Sequence, residues 1–322
     1  MPGCSKNKPG LGRIAGFTQG TTYSIIYADT EKVKTGIVYE NITDLFQRID
    51  NSMSLYQDSS IISRINRNED ATPDRYFIDV FNKSKEISQL SQGAFDATVA
   101  PLVKAWGFGP DEHKNFDISR LDSLLNLVGY TKIDIRSGKL VKQNPGITLD
   151  FNAIAQGYTV DVVCDYFNSL GLEDYLVEVG GEVRVKGTKE GKPWRIGIDS
   201  PVDNNMIPGA DLQVIIRLID RSLATSGNYR RFYVEDGVKY AHTIDPRTGY
   251  PAKNQLLSAT IIAGDCATAD GLATACMVMG LERAKDFILE LPGVDAFFVF
   301  SDLNGEFDTW TTEGMKELLQ NP

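Results

Sequence analysis

The chain has 322 residues, 42% hydrophobic and 24% charged, a balance that excludes a disordered chain, a collagen-like fibre and a disulfide miniprotein. Lys and Arg number 33 against 43 Asp and Glu, giving a net charge of −10 and a pI near 4.9. That argues against nucleic acid as a partner, which needs a basic face. No apolar run approaches the ~20 residues of a membrane-spanning helix.

In chain order, residues 1–15 read as a tether and 16–322 as one domain. Gly20 to Tyr27, rich in Thr, Tyr and Ile, predicts a strand. Helical spacing follows at Ile42, Leu45, Phe46 and Ile49 within Val38–Met53, and again from Tyr76 to Leu90. Gly93 to Gly109 is bounded by glycines and nearly uncharged. A short helix is expected over Ile118–Val128, and a hairpin over Lys132–Val141 turning at Ser137-Gly138. Thr148–Phe151 reads as a strand end that runs into a helix from Ile154 to Leu170, stopped by Gly171. Strands are predicted at Tyr175–Val179, Val183–Gly187, Trp194–Ile198, Leu212–Leu218, Ser258–Ala263 and Ala296–Phe300. Helices are predicted at Thr268–Met279 and Glu282–Leu291. Strands and helices mix without a regular βαβ rhythm, so the fold class is α+β with mainly antiparallel sheets.

Four cysteines are too few for a disulfide scaffold, and Cys266 and Cys276, ten apart on a helix, would lie ~15 Å apart, beyond disulfide reach. Two histidines, His113 and His242, exclude a multi-histidine metal site, so a bound metal would take oxygen ligands, as Mg²⁺ and Ca²⁺ do. No GxGxxG, P-loop, HExxH or GxSxG motif is present.

The densest polar stretch is ATSGNYRRFYVEDGVKYAHTIDPRTGYP, Ala224 to Pro251. It holds a Thr-Ser-Gly-Asn turn, two arginines, and His242 ahead of a Pro-Arg-Thr-Gly turn. Loops of this kind carry function on rigid scaffolds, although a lone His in a turn also serves simply as a hydrogen-bonding residue. In ADGLATAC, Asp270 and Thr274 stand one helical turn apart among small residues. They can present two hard oxygens to one cation; a capping aspartate in a closely packed helix fits the same pattern. DFNAIAQGYTVD, Asp150 to Asp161, runs through small residues into a helix, a turn that suits an anion at the backbone amides or an N-capped packing helix. Gly93-Ala94-Phe95-Asp96 and Val179-Gly180-Gly181-Glu182 each add a glycine turn with a carboxylate.

Together these stretches resemble the ApbE family of flavin transferases over nearly the whole chain. The signatures occur in the family's order: Met53-Ser54-Leu55-Tyr56, GAFDATVAPLV, DFNAIAQGY, EVGGEVRVKG, ATSGNYRRF, HTIDPRTGYP and ATADGLATACMVMG. The resemblance implies an ApbE-like, T-fold-related architecture. It also implies a Mg²⁺-dependent enzyme that cleaves FAD, transfers FMN to a threonine hydroxyl of a target flavoprotein and releases AMP. By the same resemblance, Asp270, Thr274 and the carbonyl of Ala153 are the expected metal ligands. The flavin site is expected to draw on Gln19, Tyr56, Ala94, Phe95, Asp96, Asp150, Gln156 and Ile244, with His242 as general base. Arg231 and Arg247 are further guesses for phosphate contacts. Gln19, Leu55, Asn152, Gln156 and Gly271 depart from residues common in the family. The alternatives are a FAD pyrophosphatase giving FMN and AMP, and a non-catalytic FAD-binding lipoprotein.

Met1-Pro2-Gly3-Cys4 followed by a polar stretch resembles the cleavage end of a bacterial lipoprotein signal; the other reading is a stray cysteine in a tail. With the family's usual location outside the cytoplasmic membrane, this predicts a lipid anchor on Cys4 in a bacterial cell envelope, facing the periplasm. The expected targets are flavoprotein subunits with a Ser/Thr-Gly-Ala-Thr/Ser-like acceptor motif.

Overall fold

The computed structural model describes residues 10–28, 33–108, 116–201, 211–228, 232–235, 238–241, 243–302 and 304–320, with the backbone course alone at 232–235, 238–241 and 320. Strands β1 (Leu11–Thr18) and β2 (Thr21–Ala28) pair so that Thr18 faces Thr21. Their two-residue turn has Gln19 at φ +50° and Gly20 at φ +74°, the type I′ geometry that matches the twist of the flanking strands. Helices α1 (Thr35–Met53), α2 (Ile61–Asn66), α3 (Arg75–Leu90), α4 (Ala100–Ala105) and α5 (Leu121–Leu125) follow. Ser60 and Asp74 start α2 and α3 by accepting the amides of Ser63 and Phe77.

A hairpin, β3 (Ile133–Arg136) and β4 (Lys139–Lys142), precedes α6 (Ala155–Ser169). Beyond it come β5 (Tyr175–Val179), β6 (Glu182–Lys186), β7 (Trp194–Asp199), β8 (Leu212–Leu218), β9 (Ser222–Gly227), β10 (Phe232–Glu235), β11 (Val238–Ala241) and β12 (Leu256–Ala263). The chain closes with α7 (Cys266–Met279), α8 (Leu281–Leu289), β13 (Asp295–Ser301), β14 (Phe307–Thr311), α9 (Glu313–Leu318) and β15 (Leu319–Gln320).

Among the described residues the main sheet has eight strands, ordered β1-β2-β5-β6-β9-β12-β13-β14, with every neighbouring pair antiparallel. Period-two alternation sorts its side chains into two layers. Ala224, Ala259, Ile261, Ala296 and Phe298 face α3 and α7, while Ile25, Tyr27 and Val177 face α1 and α6. Leu223, Ile262, Phe297 and Val299 point the other way, onto a three-stranded sheet ordered β15-β8-β7. The mixed, antiparallel α+β class expected from the sequence is the one observed.

Helix α7 is apolar nearly all round, as a helix buried on all sides must be. Its alanines let it lie close against β9 and β12. Gly271 makes a like concession towards α3, because a Cβ there would run into the end of Ile87. Cys164, Cys266 and Cys276 are free, buried thiols. No described helix is long and apolar enough to cross a membrane.

Three expectations change. Leu11–Ala15, placed in the tether, belongs to β1: Ile14 is buried, and Gly12 and Gly16 leave room for the rings of Tyr27 and Tyr23 across the strand pair. Thr148–Phe151 is a loop and not a strand end. The Asn66 side chain takes the place of a neighbouring strand there, donating to the Leu149 carbonyl and accepting the Leu149 amide, both at 2.8 Å. Thr225 to Gly227, read as part of a turn, ends the central strand β9, whose small residues fit beneath α7.

Candidate active site

The start of α6 and the middle of α7 form the polar centre of the molecule. Gly157, the third residue of α6, donates its amide to Asp270 Oδ2 at 3.1 Å. An N-terminal amide is a favourable neighbour for a carboxylate. Contact this close requires glycine, since a Cβ at 157 would lie 2.5 Å from the Cys266 carbonyl oxygen and 2.8 Å from Asp270 Cβ. Thr274, one turn beyond Asp270, meets Ser226 of β9 with their hydroxyl oxygens 3.1 Å apart.

Asp270 is buried, and burial pushes its pKa up to about 7, helped by the charge of Asp161 and opposed by the Gly157 amide. Among the described residues no Lys or Arg pairs with it. A buried carboxylate one helical turn from a threonine hydroxyl, against the start of α6, offers hard-oxygen donors. The chemistry of these donors suits a small divalent cation, which the expected ligands Asp270, Thr274 and the Ala153 carbonyl would hold.

Two glutamines pack beside this centre. Gln19, at the β1–β2 turn, donates to Thr159 Oγ1 at 2.9 Å, and that hydroxyl in turn donates to the Ala155 carbonyl at 2.7 Å. Gln19 also hydrogen-bonds Asp50, whose pKa burial raises. The amide of Gln156 lies against Gly180 in the β5–β6 turn, where a Cβ would come within 2.8 Å of its Nε2.

Of the remaining predicted residues, Asp96 and Arg247 line a cavity of about 330 Å³ whose walls also include Gly93, Gly129, Tyr130 and Pro246. Ala94 and Phe95 are buried beside it in the main core. Asp96 is fully engaged: Oδ1 accepts the Thr98 amide at 2.8 Å and its hydroxyl at 2.7 Å, and Oδ2 accepts the Tyr130 amide at 2.7 Å. It ties two walls of the cavity together. Burial nevertheless raises its pKa against these bonds. Ile244 is buried with Leu102, Leu121 and Val128, in a turn that Trp106 holds by donating Nε1 to the Gly249 carbonyl at 2.7 Å. Arg247, proposed for phosphate, forms a two-pronged pair with Asp245 at 2.8 Å for each contact.

Asp150 links the two groups. Its amide donates to the Ala97 carbonyl at 2.7 Å, next to Asp96, and five residues later the chain enters α6. Burial raises its pKa as well, against the amide of Asn152. Tyr56 stands apart, 70% exposed on the turn after α1, where it offers an open aromatic face. His242, Arg231 and Cys4 lie outside the described residues. The sequence reading passed over Asn66, Trp106, Gly157 and Ser226, and also Asp161, which is buried against the start of α7. For Asp161 a signal existed: it follows Gly157 by four residues, hence on the same face of α6.

The sequence model of the ApbE family matches residues 19–298, which includes every element of this site. This chain belongs to the ApbE family. An FAD:protein FMN transferase from Vibrio cholerae is 39% identical over 298 residues, covering 88% of this chain and 85% of its own. One from Haemophilus influenzae is 33% identical over 320 residues, 95% of this chain and 91% of its own. Among solved structures, the flavin transferase ApbE from Vibrio cholerae superimposes with a TM-score of 0.85 at 35% identity, covering 96% of this chain and 99% of that one. The apo form of the Pseudomonas stutzeri flavinyl transferase ApbE reaches 0.87 at 32% identity, covering 98% of both chains.

Proposed function

We propose that this ApbE-family protein transfers FMN from FAD to a threonine hydroxyl of a target flavoprotein, in a Mg²⁺-dependent reaction that releases AMP. The observation that carries the reading is the juxtaposition of α6 and α7, which sets the buried Asp270 carboxylate, with no Lys or Arg partner among the described residues, against the Gly157 amide near the start of α6, with the Thr274 hydroxyl one turn further along α7. The family assignment supplies the flavin chemistry, since relatives matching most of the chain bear the name FAD:protein FMN transferase.

In the transfer, the acceptor hydroxyl oxygen forms a bond to the FMN phosphorus of FAD. The bond from that phosphorus to the bridging oxygen breaks, and AMP leaves with the electron pair. The hydroxyl proton passes to a base, for which His242 is the proposed residue, with an ordinary pKa of about 6.5 suited to proton transfer near neutrality. Asp270, Thr274 and the Ala153 carbonyl would hold Mg²⁺, which when bound supplies the positive charge that offsets the pyrophosphate. The cavity beside Asp96, about 330 Å³, is within the size range of small-molecule sites and is assigned to part of the FAD. Gln19 and Gln156 hold the start of α6 against the β1–β2 and β5–β6 turns, which fixes the ligand end of that helix. Tyr56 offers its exposed ring for stacking on the flavin or adenine.

Gly3-Cys4 ahead of a polar segment supports a lipid anchor on Cys4 and a place in the bacterial cell envelope, facing the periplasm. The proposed acceptors are flavoprotein subunits carrying a Ser/Thr-Gly-Ala-Thr/Ser-like motif.

The test is mass spectrometry of a reaction holding FAD, Mg²⁺ and a protein with that motif, with AMP and free FMN measured in parallel. A mass increase of one FMN on the acceptor, abolished by EDTA and strongly reduced in His242→Ala, is the expected result. AMP and free FMN in equal amounts beside an unmodified acceptor would identify a pyrophosphatase. Intact FAD would identify a binding protein.

A further inference from the structure

Helices α6 and α7 exchange carboxylates. Asp270 of α7 accepts the Gly157 amide near the start of α6, and Asp161 of α6 accepts the first two amides of α7. The second contact is two-pronged: Cys266 N donates to Asp161 Oδ1 and Ala267 N to Oδ2, each at 2.9 Å. The third amide of α7, from Thr268, is taken by the helix's own cap, Asp265, at 2.8 Å. Three of the four amides that a helix leaves without internal partners are thus assigned, two of them across the helix pair.

The spacing makes these contacts two rungs of one ladder. Gly157 and Asp161 are one turn apart on α6; Cys266 and Asp270 are one turn apart on α7. As the α6 number rises the α7 number falls, so the rungs fix both the separation and the sliding register of two antiparallel segments. A third part braces the distal rung: Arg184 of β6 reaches Asp161 Oδ1 at 2.6 Å, tying the carboxylate to the central sheet. Burial tends to raise the Asp161 pKa, and Arg184 opposes this, along with the two amides.

We infer that Asp161, braced by Arg184, is a positioning residue that sets the register of α7 against α6 and thereby places Asp270 and Thr274 for cation binding. Neither Asp161 nor Arg184 belongs to the assigned ligand or base set, and the effect of both runs through α7. The register itself stands on the geometry; its consequence for the cation rests on the Mg²⁺ reading given above. An asparagine at 161 keeps the shape but turns an NH₂ group towards one of the two amides, leaving that rung half-made.

The test uses the whole protein with Asp161→Asn, Arg184→Met and Arg184→Lys. Arg221→Met serves as control, because it removes a comparable ion pair, Arg221 to Asp295 at 3.1 Å, on the far side of the sheet. Two quantities are read. One is the hydrogen-exchange protection and NMR shift of the Gly157 amide in the metal-free protein. The other is the Mg²⁺ dissociation constant by calorimetry.

Asp161→Asn is expected to lower Gly157 protection and to weaken Mg²⁺ binding about tenfold or more, as for loss of a supporting partner behind metal ligands. Arg184→Met should move both readouts the same way by less, and Arg184→Lys, which keeps the charge, should restore much of the difference. Arg221→Met should lower stability without moving either. A folded Asp161→Asn protein with an unaltered Gly157 amide would overturn the inference, as would an Arg221→Met protein that weakens Mg²⁺ equally. If Asp161→Asn does not fold, Arg184→Met alone decides between these outcomes. A wild-type protein that binds no Mg²⁺ would remove the metal reading, while the Gly157 amide would still report on the register.

Discussion

Gly157→Ala is the most direct probe of how the site is built. The added methyl carbon would lie 2.5 Å from the Cys266 carbonyl oxygen and 2.8 Å from both the Cys266 carbonyl carbon and Asp270 Cβ. Two of these atoms are backbone and cannot rotate away. Reaching ordinary contact at 3.4 Å requires the helices to part by about 0.9 Å. The Gly157–Asp270 hydrogen bond, now 3.1 Å, would then stretch to about 4 Å and cease to be one. Overpacking costs about 1–3 kcal/mol and a hydrogen bond to a charged group about 1.5–3, against a gain of up to about 1 from the better helix former. The net loss is about 2–5 kcal/mol, equivalent to ~3–7 °C in Tm for a chain of this size.

The assay pairs thermal unfolding with the rate of Mg²⁺-dependent flavinylation, and transfer should fall more than stability does. Gly36→Ala is the control. Gly36 lies in the first turn of α1 with open space at its Cβ position, so the same change should be neutral or stabilising there by up to about 1 kcal/mol. If Gly157→Ala behaved like Gly36→Ala, with Tm raised and transfer intact, the close crossing of α6 and α7 would be refuted.

Other outcomes follow from single contacts. In chelator, the wild-type Tm should rise as pH falls from 8 towards 6. The folded Asp270 pKa, about 7, exceeds its ordinary 3.8, so the folded state binds the proton more tightly and the burial cost is relieved below pH 7. Asp270→Asn should flatten that slope and abolish Mg²⁺-dependent transfer; an unchanged slope would contradict the assignment. Asn66→Ala strips both backbone partners from Leu149 and should cost about 1–3 kcal/mol per group left unsatisfied, read from urea midpoints, with slower transfer as Asp150 loosens. Trp106→Phe removes the bond to the Gly249 carbonyl and should raise KM for FAD about fivefold, equivalent to ~1 kcal/mol, while kcat changes little.

The sequence carried α1 and α3 well, because their apolar faces repeat at helical spacing, and α7 as an unbroken run of small and apolar residues behind its cap, Asp265. The pair Asp270 and Thr274 was legible for the same reason. Strand β1 was not, because its two glycines and an arginine break the alternation, and the rings that cover it belong to β2. The loop at Leu149 looked like a strand because its backbone is satisfied by a side chain 83 residues away, which no local pattern records. Asp96 shows a different limit. Its type and place were visible, but its carboxylate is taken up by Thr98 and Tyr130, and that depends on how the segment around Gly129 folds back. Asp161 was visible as a letter in a motif, whereas its partners are backbone amides and an arginine that only the finished fold brings within reach.

The two rungs between α6 and α7 join residues 105 and 113 positions apart. Closing contacts of such separation has to overcome the entropy of the intervening loop, which here holds the strands β5 to β12. Neither helix start is complete until they close, so an N-terminal intermediate has Ala153 but lacks Asp270 and Thr274. A growing chain therefore brings Asp270 and Thr274 against the start of α6 only once α7 has been made.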